Sequence, residues 1–209
     1  MGVEGMRRTA LVFALALVAV LVAAGGAAAK TSRATFDVHV GDNFLPPLAQ
    51  PSVARAASGE TITIVLKGSF SAAGKSASGS GTFVHMRGTT VLATGTLTLT
   101  RTITFQFYGC GVAPNGSTFP SNFCGGRVLL AAHLIGHPVS NPSATVERNA
   151  LFEVNCQVHS TTFSPPPGTG EGIKLVVRGG PNFNKHVSGA NLFVQTASAS
   201  KHSNRGHSK

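Results

Sequence analysis

The sequence of 209 residues is poor in charge and in large aromatic rings: it has no tryptophan, a single tyrosine and only seven acidic residues. Charged residues make up 11% of the chain, against about a quarter in an average globular domain. Glycine, serine, threonine and alanine fill the difference. Such a composition favours pleated sheet and tight turns over helices, because threonine and valine fit a half-buried pleat.

The commonest signatures of enzymes are also missing. There is no Gly-x-Ser-x-Gly elbow, and the glycine-rich stretches lack the Lys-Ser/Thr ending of a phosphate loop. Asp37 and Asp42 lie near each other, but Asp42 follows a glycine and is better explained as a turn residue than as half of a catalytic dyad. His133 and His137 on one strand would stand about 13 Å apart, too far for one ion. We therefore predict no catalytic residues, no metal site and no cofactor.

The N-terminus has the pattern of a secretory signal. Two arginines precede an apolar run over residues 10–24, and three alanines at 27–29 match the small-residue cleavage rule. We predict a signal peptide over residues 1–29, a mature chain from Lys30, and a secreted or cell-envelope location. An uncleaved anchor is the alternative, because the apolar run approaches the roughly 20 residues that span a bilayer. No later segment is long and apolar enough to span a membrane.

Export to an oxidising compartment favours disulfide formation. The chain has three cysteines, which allow three single-bridge pairings and leave one thiol over. Cys110 and Cys124 flank a loop rich in glycine, proline and asparagine, so we predict that they pair. Cys156 alternates with apolar residues, which indicates a small buried side chain and not a reactive thiol.

Apolar and polar residues alternate in short runs that are separated by turn residues, and no amphipathic helix lies between them. This pattern predicts about eight antiparallel strands in one domain over residues 30–196. Large inward-facing phenylalanines favour a β-sandwich, with a closed eight-stranded β-barrel as the alternative. Residues 197–209 are polar and basic and predict a disordered tail.

Three intervening segments are predicted as irregular structure. Residues 41–58 contain three prolines and indicate a connector, and the Gly/Ser/Ala-rich residues 68–81 indicate a mobile loop or a weak hairpin link. A loop between the last two strands carries Asn182, Asn184 and Lys185, which form a candidate binding loop, because loops on a rigid sheet often bind ligands. The interpretation that we favour is that the asparagines stabilise a turn and that Phe183 fills the end of the sandwich.

The longest alternating run, residues 94–107, is interrupted on its apolar face by Arg101. This position predicts a β-bulge or a turn that divides the run, or an arginine whose stem packs while its head reaches the edge.

The net charge of +10 indicates attraction to an acidic surface or polymer as a partner. The basic residues are scattered singly except in the tail, where no aromatic residues lie between them. Nucleic-acid binding is therefore disfavoured, because base stacking needs aromatic side chains.

Four pieces of sequence carry a resemblance: GSGTFVH, FQFYGCG, FCGGR and GGPNFNKHVSGANLF. Together they make residues 60–195 similar to a group of exported β-rich proteins. The resemblance implies export and a compact β domain, and it brings no activity with it.

We thus interpret the chain as a secreted, non-catalytic binding or structural β module with an unknown ligand. One alternative is a β-barrel that binds a small ligand. A second is an enzyme with a site assembled from distant residues, such as His85, His133 or His159 with an acid.

Overall fold

The computed structural model describes residues 34–44 and 50–197. All regular secondary structure in these two ranges is β-strand. The predicted signal segment and all but the first residue of the predicted tail lie outside the described residues. The ten strands are β1 (Thr35–Val40), β2 (Ser52–Ala56), β3 (Thr61–Ser71), β4 (Ala77–Arg87), β5 (Thr90–Cys110), β6 (Phe123–Pro138), β7 (Val146–Cys156), β8 (Gly172–Val177), β9 (Asn182–Ser188) and β10 (Asn191–Ala197).

All strands pair antiparallel in one sheet, in the order β1-β10-β6-β5-β4-β3-β2-β9-β8-β7, with further pairings between β1 and β3 and between β6 and β7. The long strands β3 to β6 form one layer. Strands β1 and β10 cover one end of this layer, and strands β2, β9, β8 and β7 cover the other. The prediction of an all-β antiparallel sandwich is confirmed, with ten strands in place of about eight.

The strands that cover β3 to β6 form the second layer of the sandwich. The register of the pairing divides this layer into two groups, β1 with β10 and β2 with β9, β8 and β7. Strand β3 pairs with β2 over residues 61–64 and with β1 over residues 66–71. Strand β6 likewise pairs with β10 at residues 123–124 and with β7 over residues 126–136. Because one edge of β3 and one edge of β6 each pair with two strands, the sheet closes on itself at both ends of the long strands.

Phenylalanine side chains fill the end that is covered by β1 and β10. Phe36 is fully buried, and its ring centroid lies 5.3 Å from that of Phe70, 5.1 Å from that of Phe105 and 5.8 Å from that of Phe107. Phe193 of β10 packs edge-on against two of these rings. Buried aromatic clusters of this kind contribute strongly to stability through the apolar area that they remove from water.

The glycine-rich residues 68–81 form the end of a hairpin between β3 and β4, so the predicted hairpin link is confirmed and the alternative of a mobile loop is wrong. Strand β3 runs to Ser71 and β4 begins at Ala77. Gly68 pairs directly with Gly79, and a Cβ at Gly81 would overlap the Val65 carbonyl oxygen and lie 2.7 Å from the Leu66 Cα atom. The glycines are present because these backbones approach too closely for a side chain.

Two further strands lie where the sequence indicates irregular structure. Strand β2 occupies part of the predicted connector 41–58, and β9 contains Asn182, Asn184 and Lys185, which the sequence predicts in a loop. Strands β2 and β9 pair with each other, and β9 also pairs with β8. The polar side chains of β9 are tolerated because one face of the strand lies outside the core.

Arg101 lies at a β-bulge, as the sequence predicts. The pairing jumps from Leu99 opposite Ala132 to Arg101 opposite Ala131, while β5 continues as one strand. The Arg101 side chain is exposed.

The predicted disulfide joins Cys110 and Cys124, which are direct cross-strand neighbours on β5 and β6. The third cysteine, Cys156, is a buried free thiol, as predicted. Burial raises its pKa well above that of an ordinary thiol, which disfavours the reactive thiolate form.

Candidate functional site

An apolar cavity of about 260 Å³ opens at the end of the sandwich that is covered by β2, β9, β8 and β7. Its walls come from strands β3 to β9, and most of its lining is apolar. The lining residues are Ile62, Phe83, His85, Ala93, Leu134, Gly136, Pro138, Val146, Arg148, Val177, Gly179, Gly180, Pro181 and Phe183. We call this space the apolar cavity.

Four large residues at its inner side are core residues: Ile62, Phe83, Leu134 and Phe183 are each at most 6% exposed. Glycine creates part of the space, because a Cβ at Gly136 would lie 3.2 Å from the Phe83 ring. Val146 at the opening is partly exposed. The cavity therefore has a rigid apolar interior and an open mouth.

Two polar side chains line this cavity, and one of them belongs to a network. His85 Nε2 lies 3.1 Å from Glu60 Oε2, and the His85 ring meets Phe183 edge-on at 5.4 Å between centroids. Arg87 donates to Glu60 Oε1 from Nη2 at 2.5 Å and from Nε at 3.1 Å. Arg148 is the second polar lining residue, and it is exposed.

The ionisation of Glu60 determines the direction of the hydrogen bonds in this network. The hydrogen bond from Arg87 holds the pKa of Glu60 below its ordinary value, although burial of the carboxylate opposes this. An ionised carboxylate only accepts hydrogen bonds, so His85 Nε2 donates to it. This leaves His85 Nδ1 for other partners.

A second space, of about 300 Å³, lies on the outer face of β6 to β9 beneath the segment that joins β7 to β8. We call it the polar cleft. Its lining residues are Arg127, Glu153, Asn155, Gly168, Thr169, Gly170, Gly172, Ile173, Lys174, Asn184, Lys185 and His186. Asn184 and Lys185 of the candidate binding loop thus meet at this cleft, whereas Asn182 pairs with Val176 and does not line it.

A buried polar junction joins the two parts of the second layer. Glu171 accepts the backbone N–H of Gln157 at 2.7 Å and that of Asn191 at 2.8 Å. Asn191 also accepts from Ser52 Oγ at 3.0 Å and donates to the Asn155 carbonyl oxygen at 3.2 Å. Burial outweighs the two N–H donors and raises the pKa of Glu171 to about 7.

His133, His137 and Asp42, which the sequence singles out, have local partners. His133 lies 3.4 Å from Glu147, and His137 lies 3.3 Å from the Ala144 carbonyl oxygen. Asp42 accepts from the Phe44 backbone N–H at 3.2 Å, as a turn residue does, and lies 2.7 Å from His39. Across residues 34–44 and 50–197, no three His, Cys, Asp or Glu side chains are grouped so as to hold a metal ion.

The sequence offered His85 with an unnamed acid as one of several alternatives, but it did not identify Glu60 as that acid, Arg87 as its second partner, or the apolar cavity. His85 and Arg87 are two apart on β4, and Glu60 precedes β3, so only the register of this hairpin brings them together. The sole available signal was a histidine and an arginine on one face of a strand. The cavity is lined by residues from seven strands, and no short sequence motif marks them.

The described ranges contain no helix that has the length and apolar character for crossing a bilayer. Comparison with known proteins finds no matching family model, no matching curated protein and no matching solved structure. The resemblance to exported β-rich proteins therefore stays a prediction.

Proposed function

We propose that this chain is an exported binding module and that a small, mostly apolar molecule binds in the apolar cavity. The observation that carries the proposal is the cavity itself, with a buried apolar interior and polar side chains only at two positions. Small-molecule sites have this composition, with few polar groups that orient the ligand.

The size of the cavity defines the ligand. Its volume of about 260 Å³ is just under the roughly 300–1,000 Å³ of typical ligand pockets. Arg148 and His85 offer hydrogen bonds at the wall, and Arg148 carries a positive charge. We therefore propose a one- or two-ring apolar compound that bears one carboxylate or one other acceptor group.

Export is supported by the pattern of residues 1–29 and by the disulfide between Cys110 and Cys124. Expression of the full chain in a secreting host, followed by mass measurement of the released protein, tests this part. The expected product begins at Lys30.

A thermal-shift screen of residues 30–209 against aromatic carboxylates and matched neutral compounds tests the binding. A ligand at about 100 times its Kd stabilises by about 2.7 kcal/mol, which corresponds to roughly 5–10 °C in a domain of this size. Ala93 lines the cavity, so Ala93→Phe fills it and should abolish the shift.

Ala131→Phe is the matched control, because Ala131 lies on the outer face of β6 between buried neighbours. This variant should keep the full shift. A shift that survives in Ala93→Phe, or no shift with any of the compounds, would refute binding in the cavity.

An enzymatic role is the second candidate, and one specific contact favours it. A histidine that donates to a carboxylate beside an apolar cavity is an arrangement that general bases use. Mass analysis of the bound compound after incubation separates the two functions. Unchanged ligand supports a binder, whereas a product that forms with the native chain and not with His85→Asn supports catalysis.

A further inference from the structure

We infer that the polar cleft is a second binding site, separate from the apolar cavity, and that its ligand is a hydroxylated anion such as an acidic saccharide. Strand β9 lies between the two sites. Phe183 lines the apolar cavity, while Asn184 and Lys185 line the polar cleft. The inference does not depend on the function proposed for the cavity.

The charge of the cleft selects an anion. Arg127, Lys174 and Lys185 line it together with one carboxylate, Glu153. Glu153 is engaged by Lys174, whose Nζ lies 3.0 Å from Oε1. Among the described residues, neither Arg127 nor Lys185 has a carboxylate within salt-bridge distance, so two positive charges remain uncompensated.

Asn155 selects a hydroxyl group. Its side chain is only 5% exposed, and Nδ2 donates to the Gly170 carbonyl oxygen. Its Oδ1 atom is buried and has no hydrogen-bond partner in the described part of the chain. A buried acceptor without a partner is unfavourable, and a ligand hydroxyl at this position would supply the missing donor.

The rim of the cleft is fixed in place. Besides the bond from Asn155, Gln157 Nε2 donates to the Thr169 carbonyl oxygen, and the Thr169 hydroxyl donates to the Pro166 carbonyl oxygen. These bonds hold residues 168–170 over the outer face of the sheet. His186 also lines the cleft, and burial lowers the pKa of its ring, which disfavours a positive charge there.

The anion and the hydroxyl must belong to one molecule. A simple inorganic anion satisfies Arg127 and Lys185 but brings no donor to Asn155. A neutral sugar satisfies Asn155 but not the two charges. A sugar that carries a carboxylate, sulfate or phosphate group satisfies both.

Titration of residues 30–209 with glucuronic acid, glucose and sodium sulfate, followed by amide NMR shifts, tests the inference. Glucuronic acid should give saturable shifts at Asn155, Asn184 and Lys185. Glucose and sulfate should each bind at least about tenfold more weakly, because each lacks one set of contacts. Equal binding of sulfate or glucose, or no saturable shift with glucuronic acid, would overturn it.

The double variant Arg127→Gln/Lys185→Gln should weaken binding of glucuronic acid at least about tenfold. Lys67→Gln/Arg101→Gln removes the same charge from exposed positions elsewhere on the sheet and should leave the affinity within about twofold. An equal loss in both double variants would show a general charge effect and refute the site.

Discussion

Glu60 connects Arg87, which is exposed, to His85, which lines the apolar cavity: its Oε1 atom accepts from Arg87 and its Oε2 atom from His85. The side chain of Arg87 is 71% exposed and that of Glu60 is 10% exposed. A charge on the surface therefore sets the ionisation of a buried carboxylate.

We predict that Arg87→Ala raises the pKa of Glu60 towards its ordinary value, because the hydrogen bond from Arg87 is the main cause of its lowering. A lowered pKa stabilises the fold above the unfolded value of 4.5, and this contribution is lost as the pH falls through the folded value. The variant should therefore lose about 0.2–1 kcal/mol near neutral pH and less in acid.

Carboxyl NMR titration measures this pKa, and denaturant unfolding near pH 7 and pH 3 measures the stability. Arg101→Ala, an exposed arginine with no salt bridge to a described residue, is the control and should not move the pKa of Glu60. An unchanged pKa in Arg87→Ala would contradict the prediction.

Glu171 should give the opposite pH dependence. Burial raises its pKa from 4.5 to about 7, so between these values the unfolded chain binds fewer protons than the folded chain. Stability therefore falls as the pH rises through this window. From about pH 5 to about pH 8, the contribution of Glu171 to the free energy of unfolding should fall by about 2–3 kcal/mol.

Glu171→Gln isolates this contribution. Each oxygen of Glu171 accepts one backbone N–H, whereas the NH2 group of a glutamine accepts none, so the variant should be about 1–2 kcal/mol less stable near pH 5. Near pH 8 the difference should shrink or reverse. Glu153→Gln, which removes a carboxylate that pairs with Lys174 and not with a histidine, should keep the pH profile of the native protein. The same profile in Glu171→Gln would disprove the assignment.

The disulfide should contribute about 3 kcal/mol, since it closes a loop with a sequence separation of 14. The double variant Cys110→Ser/Cys124→Ser is expected to unfold about 6–12 °C lower in calorimetry. Cys156→Ser serves as the comparison, because it removes a thiol without opening a loop. An unchanged melting temperature in the double variant would mean that the strand pairing alone fixes this loop.

Sequence patterns identify strands well where a buried face alternates with a wet one. Strands β5 and β7 follow from such alternation, and the bulge at Arg101 follows from a charge on the apolar face. Strand β9 does not, because only Phe183 among its residues is buried. Its conformation comes from pairing with β8, the strand just before it, and with β2, which lies far away in sequence.

The glycines of β3 and β4 show a second limit. Glycine is usual in loops, and nothing in a single sequence separates that use from close packing of two backbones. The candidate site is harder still, since its residues come from seven strands and Glu60 meets His85 only through one register.

Gly81→Ala tests whether the close approach of the β3 and β4 backbones requires glycine. A Cβ there would overlap the Val65 carbonyl oxygen, so we expect a loss of at least about 2 kcal/mol in denaturant unfolding. Gly170→Ala is the matched control, because no atom lies within 4 Å of its Cβ and its φ is not in the left-handed region. It should stay within about 0.5 kcal/mol, and equal effects at the two positions would exclude the steric explanation.

The pairing of Thr35 with Ala197 brings together the first strand and the last strand of the described fold. Strand β10 also lies between β1 and β6 and pairs with both of them. A chain that emerges from its N-terminus, whether from a ribosome or through a membrane pore, must therefore deliver residue 197 before this end of the sandwich can close. Until then the phenylalanine cluster lacks one wall, and the emerging chain depends on protection from aggregation during its synthesis and transport.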